Sequence, residues 1–262
     1  MEELKYLEDY YNSYDEEGRL LSKHGKVEFL TTMNYIEKYL KPGAKILEIG
    51  AGTGRYSLAL AKKGYHVNAV ELIQHNIEVF KSKITADMKV CVRQRNATDL
   101  SCFEEETYDV TLLLGPMYHL YTEKDKIKAL SEAIRVTKKG GILITAYCIS
   151  DASIMCYGFR GGNIDTLLNK GLVDTETFKA FSSPEEIFEL YRKEDIFKLM
   201  DNFRVARLHY VATDLITNFM RDTVDAMDDK TFELYLKYHY AICERSDMVG
   251  VTHHSIDIVQ KI

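Results

Sequence analysis

The sequence predicts an α/β fold: a doubly wound, mostly parallel, seven-stranded sheet with helices on both faces and an inserted cap. Three observations carry this. Lys45–Ile49 is a short apolar run, followed by glycines at alternate positions, Gly50, Gly52 and Gly54, and by the helical stretch Ser57–Lys63, which Gly64 ends. Strand-like and helix-like segments then alternate in order as far as Tyr147. Tyr108–Leu114 is a nearly continuous apolar run, as a central parallel strand buried on both faces requires. Open sheets of this kind bind ligands beyond the carboxyl ends of their strands, where bare glycine backbone lets a ligand lie on the chain.

The elements follow from spacing. Tyr6, Tyr10 and Tyr14 fall at helical intervals in an aromatic, polar N-terminal segment. Phe29, Leu30, Met33, Ile36 and Leu40 define a helix stopped at Lys41-Pro42-Gly43. Tyr65–Glu71 reads as a second strand, Ile73–Ile84 as a helix and Lys89–Gln94 as a third strand. A helix starting at Thr122 runs through Ile127, Leu130, Ile134 and Val136. Lys138–Gly141 reads as a turn and Ile142–Tyr147 as a fifth strand.

Residues 148–182 form a long connection of the kind that is usually functional. Ser183-Pro184 can cap a helix, and Ile187–Tyr191 can equally be a strand. A helix at Lys193–Met200, a sixth strand at Phe203–Val211, two helices and a last strand at Val251–Val259 complete the chain. One domain spans 1–262. Its core covers about 25–147, 192–213 and 248–262, and its cap 1–24, 148–191 and 214–247.

Composition bounds the function. A chain of 262 residues with 46% hydrophobic and 28% charged residues is that of an ordinary soluble globular protein. The net charge of −6 argues against nucleic acid as partner, because a phosphate backbone selects a basic face. The 5 cysteines are odd in number and form no C-x-x-C pair, which fits free thiols in a reducing compartment and no metal site. No run reaches membrane-spanning length and no apolar leader core stands at the N-terminus, so the expected location is cytoplasmic.

The glycine loop, G-x-G-x-G with Glu48 before it, resembles the class I S-adenosylmethionine-dependent methyltransferases, with a Rossmann-like fold. Glu71 stands about 20 residues past the first glycine, where a ribose-binding carboxylate belongs, with Leu72 beside it. Asn96-Ala97 after the third strand resembles the family's Asp/Asn-Ala pair. The resemblance implies a polar side chain on the adenine amine and backbone on the ring edge. It also implies that the end of the fourth strand, Leu114, faces the cofactor. Tyr118 and His119 would then face the acceptor, and Tyr14 or Arg19 would close over the cofactor. The cofactor set is thus Tyr14, Glu48, Gly50, Gly52, Gly54, Glu71, Leu72, Asn96, Ala97 and Leu114, the cofactor is S-adenosyl-L-methionine, and the partner is a small-molecule methyl acceptor.

Methyl transfer by in-line displacement asks mainly for alignment and exclusion of water, so it needs no strict catalytic signature. His119 is the candidate base, since an imidazole titrates near working pH. Of the adjacent His253 and His254, at most one faces any given site. Two alternatives share the glycine loop: an NAD(P)-dependent oxidoreductase, which also shares Glu71, and a non-catalytic cofactor-binding protein. The G-x-G-x-G spacing and the preceding Glu48 disfavour the oxidoreductase.

Overall fold

The computed structural model describes residues 2–262; Met1, with which the expected cap begins, lies outside them. Helix α1 (Glu2–Ser13) is followed by a turn and by α2 (Lys23–Tyr39). The side chain of Ser22 caps α2 by accepting the Gly25 amide. Strand β1 (Lys45–Ile49), α3 (Arg55–Lys62), β2 (His66–Glu71), α4 (Gln74–Ser82), β3 (Val90–Gln94), β4 (Tyr108–Leu113), α5 (Glu123–Val136) and β5 (Thr137–Ile149) alternate as the pattern predicts. Then come α6 (Ser150–Ser153), a π-helical stretch over Ile154–Arg160, and α7 (Ile164–Asn169). Strand β6 (Leu190–Tyr191), α8 (Lys193–Met200), β7 (Val205–Ala212), α9 (Arg221–Asp225), α10 (Asp229–Ile242) and β8 (His254–Lys261) finish the chain.

The sheet order is β3-β2-β1-β4-β5-β8-β7, parallel except for β8, which runs antiparallel to both neighbours. The order reverses at β1, which has β2 on one side and β4 on the other. A crevice therefore opens beyond the carboxyl ends of those two central strands. Successive residues of β1 serve opposite faces. Leu47 and Ile49 pack with Ala129, Leu130 and Ala133 of α5, whereas Ile46 packs with Met33 and Ile36 of α2 and Leu60 of α3.

Among the described residues the seven expected strands form the sheet's continuous path, and an eighth lies off it. The addition is β6, only two residues long, which pairs with β5 where β5 outruns the end of β4. The open Ile187–Tyr191 alternatives resolve into a 3-10 turn at Pro184–Glu186 and then this strand. Tyr191 anchors it by donating its hydroxyl to the Met117 carbonyl at 2.7 Å. Lys138–Gly141, expected as a turn, is continuous with β5; the distortion appears as a register shift against Tyr108–Val110 and a positive φ at Gly140. Helices α9 and α10 rest on α2 through Val224, Phe232 and Val27. No described helix is long and apolar enough to cross a membrane.

Gly54 shows why the loop sequence is needed for folding. Its φ is +86°, and a Cβ there would lie 2.4 Å from the ring of the fully buried Phe80. Left-handed strain and overpacking add, so Gly54→Ala should cost about 2–4 kcal/mol. Urea unfolding checks this; a loss below about 1 kcal/mol would mean that Phe80 moves aside freely.

Candidate functional site

Two cavities meet beyond the carboxyl ends of β1, β2 and β4. The first, of about 340 Å³, is lined by the glycine loop, by Glu48, Glu71, Leu72, Asn96, Ala97, Leu114, Tyr118 and His119, and by Tyr11 and Arg19 from the N-terminal segment. The second, of about 540 Å³, is lined by Tyr10, Tyr14, Glu28, Phe188, Asp214 and His254 among others. Tyr11, Glu16, Arg19 and Tyr118 line both and form the wall between them.

In the first cavity the carboxylate of Glu71 is held on both oxygens. Oε2 accepts the Gly52 amide at 2.8 Å and Oε1 the Ile73 amide at 2.9 Å. Burial raises its pKa, and these amides pull the other way. The Asn76 side chain and the Leu72 backbone add smaller contributions in the same direction. Gly52 has φ +53°, and the nearest atom to a Cβ built there is Cγ of Glu16, 3.8 Å away, so open cavity lies in front of it. A Cβ on Gly50, by contrast, would strike Pro116 at 2.4 Å. The three glycines thus serve different ends, and Gly54 does not line the cavity.

Glu48 is buried. Its Oε2 accepts the Ser57 amide at 2.9 Å and also the Ser57 hydroxyl. Burial pushes its carboxyl up to about 8; the bonds from Ser57 oppose this only in part, and Glu71 adds to it. Asn96 sits in an Asx turn, with Oδ1 accepting both the amide and the hydroxyl of Thr98 at 3.0 Å. Both lone pairs of that oxygen are engaged, so the use expected of it, accepting an adenine amine, is not available in this conformation; its amide nitrogen and the Ala97 backbone remain.

His119 is half-buried, and its tautomer follows from its partners. Nδ1 lies 3.0 Å from the Ile187 carbonyl and must donate, so Nε2 carries a lone pair that accepts the Tyr11 hydroxyl at 2.8 Å. Burial lowers its pKa to about 4, only partly offset by the Ile187 bond. The imidazole is neutral at working pH and a weak base.

Tyr14, expected at the cofactor, lines the second cavity instead, stacked on Tyr10 with ring centroids 5.0 Å apart. Tyr11, off the Tyr6/Tyr10/Tyr14 stripe, takes the place in the first. Arg19 lines both cavities, between Glu16 (Nε–Oε1 3.2 Å) and Glu28 (Nη1–Oε2 2.8 Å). Of the paired histidines, His254 lines the second cavity and His253 packs on Phe219.

Glu28, Asp214 and His254 offer ligand atoms within 4.8 Å of one another. They form an ion-pair network rather than a ligand set, because the oxygens of Asp214 are saturated. Oδ1 accepts Thr252 Oγ1 at 2.5 Å, the His253 amide at 2.8 Å and the His254 amide at 3.2 Å. Oδ2 accepts Asn218 Nδ2 at 2.7 Å and His254 Nδ1 at 2.8 Å. Burial alone would raise the pKa of Asp214; the His254 bond and charge outweigh it and bring it to about 2. A folded pKa below the unfolded value stabilises above that unfolded value, and the gain is lost as pH falls from about 4 towards 2. Asp214→Ala should cost about 3–5 kcal/mol at pH 7, the usual loss on breaking a buried pair. Denaturant titrations at pH 7 and pH 3 check this: the difference between wild type and variant must shrink at the lower pH.

A family profile described as "Methyltransferase domain" matches residues 46–141. Demethylmenaquinone methyltransferase of Clavibacter sepedonicus is 36% identical over 103 residues, covering 39% of this chain and 40% of that protein. Glycine/sarcosine N-methyltransferase of Aphanothece halophytica is 28% identical over 144 residues, 53% of this chain and 52% of that one. The matches thus span about half the length of these relatives or less. A crystal structure described as a SAM-dependent methyltransferase from Methanosarcina mazei superposes with TM-score 0.58 at 19% identity, over 87% of this chain and 97% of that one, which shows the shared fold. Residues 46–141 thus match a methyltransferase-domain profile, and the sheet order and the glycine loop after Glu48 accord with that match.

Proposed function

We propose that the protein transfers the methyl group of S-adenosylmethionine to a small-molecule acceptor. The observation that carries this is the pairing of Glu71 with Gly52. A buried carboxyl group, fixed on both oxygens by the Gly52 and Ile73 amides, lines a cavity of about 340 Å³ into which the bare Cα of Gly52 opens. The donor set fits a ligand with a vicinal diol at one end and an amino-acid group at the other. Bound there, S-adenosylmethionine supplies an electrophilic methyl on a sulfonium centre.

The chain's residues do the rest. Glu71 accepts the ribose hydroxyls. The Asn96 amide nitrogen and Ala97 backbone meet the base, and the loop around Gly52 meets the amino-acid end. Leu114 and Leu72 give apolar walls. Tyr11 and Tyr118, in the wall between the cavities, separate the donor from the acceptor and exclude water. His119 serves by orientation. With Nδ1 fixed on Ile187, its Nε2 holds the Tyr11 hydroxyl and so ties α1 down over the crevice. An imidazole with a pKa near 4 is better suited to this than to taking a proton at neutral pH. The segments 1–24, 148–191 and 214–247 act together as the cap over the strand ends. The cytoplasm is the expected location.

Calorimetry with S-adenosylhomocysteine tests the reading, with NADH as the control ligand. S-adenosylhomocysteine should bind and NADH should not. Glu71→Ala should weaken binding by about 1.5–3 kcal/mol, the worth of hydrogen bonds to a charged group. NADH binding in place of S-adenosylhomocysteine would hand the site to the oxidoreductase alternative. A second measurement concerns Glu48. Its raised pKa means that it holds a proton at pH 7 and releases it above about 8. A cationic ammonium entering the cavity favours the ionised form, so affinity for S-adenosylhomocysteine should rise from pH 6 to pH 8, with proton release seen as a buffer-dependent heat. Glu48→Gln should flatten that rise; an unchanged pH profile would show that Glu48 is not the group that titrates.

A further inference from the structure

The second cavity lies on the far side of the wall from the glycine loop, and its lining has a definite character. Tyr10 stacks on Tyr14 at 5.0 Å and meets Phe188 edge-on at 5.6 Å, while Phe188 lies tilted against Tyr118 at 6.0 Å. These rings are neutral, because burial raises the hydroxyls of Tyr10, Tyr14 and Tyr118 above their ordinary range. Opposite them stand the charges. Glu16, Glu28 and Asp214 face Arg19 and His254 in the inner part. The exposed Asp15 and Arg221 offset each other at the rim, and His24 is engaged with Asp225 outside the lining.

We propose that the second cavity is the acceptor site and that it takes a small amine. The amine enters as an ammonium ion and gives a proton to the Glu16 carboxylate on the shared wall. The freed nitrogen lone pair then forms the N–C bond as the S–C bond of the sulfonium breaks and S-adenosylhomocysteine leaves. This rests on the methyl-transfer reading. Both inner cations are already committed: Arg19 bridges Glu16 and Glu28, and His254 Nδ1 is 2.8 Å from Asp214 and 3.4 Å from Glu28. Three carboxyl groups against two cations leave a partly closed, aromatic-walled space one positive charge short. Burial raises the pKa of Glu16, the direction a carboxyl lacking full compensation takes. A buried charge without a partner is costly, and a ligand cation supplies the missing partner. The stacked phenol rings add cation–π attraction for the same ligand. An anionic acceptor would meet the excess carboxylate with no free inner cation to receive it. A metal ion is the poorer occupant, since every lone pair of Asp214 is spent within the protein. The shared wall of Tyr11, Glu16, Arg19 and Tyr118 puts such an amine next to the cavity proposed for the donor.

Binding can be read without turnover, using isosteres that differ in charge. One set is putrescine, 1,4-butanediol and succinate; the other is 2-phenylethylamine, 2-phenylethanol and phenylacetate. Each is titrated into the protein with and without saturating S-adenosylhomocysteine. At least one amine should bind about tenfold or more tightly than its alcohol and its carboxylate, a difference within the range of a desolvated cation–π and ionic contact. Tyr14→Leu and Glu28→Gln should each weaken that amine by about fivefold or more while leaving S-adenosylhomocysteine within about twofold. Because Glu28→Gln disturbs two ion pairs and can fail to fold, the exposed Tyr14 gives the independent test. Carboxylates binding as well as amines, no amine binding at all, or full amine affinity in Tyr14→Leu would overturn the proposal. Amine binding lost while S-adenosylhomocysteine still binds removes this inference alone. Loss of S-adenosylhomocysteine binding removes the methyl-transfer reading instead, and the amine titration still decides whether the cavity selects a cation.

Discussion

The crevice depends on how one buried carboxylate is held. Glu71 ends β2 and has no cation beside it, so backbone amides compensate its charge. One comes from Gly52, in the turn after β1, and the other from Ile73, just before α4. The same carboxylate therefore joins the loop of one βα unit to the helix start of the next. It does so only because Gly52 adopts φ +53°, which turns its amide towards β2. The carboxyl group is preorganised before any ligand arrives, and the geometry of the loop and that of the site are a single property.

A second carboxyl in the same cavity raises the question of how two acids share it. Glu48 and Glu71 repel each other, and each is desolvated. Their donors differ. Glu71 is held by amides on both oxygens, whereas the two donors to Glu48 come from Ser57 and both meet Oε2. The environments separate the pair: burial pushes Glu48 up to about 8, while the amides on both oxygens of Glu71 oppose the rise that burial causes there. A cavity with one amide-held carboxyl and one adjustable proton suits a ligand with a diol at one end and a cation at the other.

The central part of this architecture was legible in the sequence because it is local. Strand, glycine turn and helix follow one another within twenty residues, and Glu48, Gly50, Gly52 and Glu71 could be read from their order. What lay hidden is what arrives from far along the chain. Strand β6 is two residues long and carries no periodicity; it exists because β5 outruns β4. Tyr11 falls off the helical stripe that drew notice to Tyr14, and only the position of His119, 108 residues on, gives it a partner. Arg19 could be singled out, but its partner Glu28 reads as an ordinary helix-surface residue. The Asn96 side chain followed the simpler rule, an Asx turn, because a hydroxyl two residues on competes for its oxygen.

The second cavity owes its charged wall to the reversal of one strand. Every parallel strand presents its last residues at the crevice end of the sheet. Since β8 runs the other way, it presents its first residue there, His254, paired with Cys148 near the end of β5. Strand β7 ends at Ala212, against Ser255, so Asp214 leaves the sheet at that same end. A parallel last strand would have carried His254 to the opposite end, away from Asp214 and Glu28. The antiparallel strand thus does more than close the sheet edge. It brings an imidazole and a carboxylate, 40 residues apart in the chain, to 2.8 Å from each other beside the helix that carries Glu28. In this fold the sign of the second cavity's wall is set by strand direction, which no local pattern in the sequence encodes.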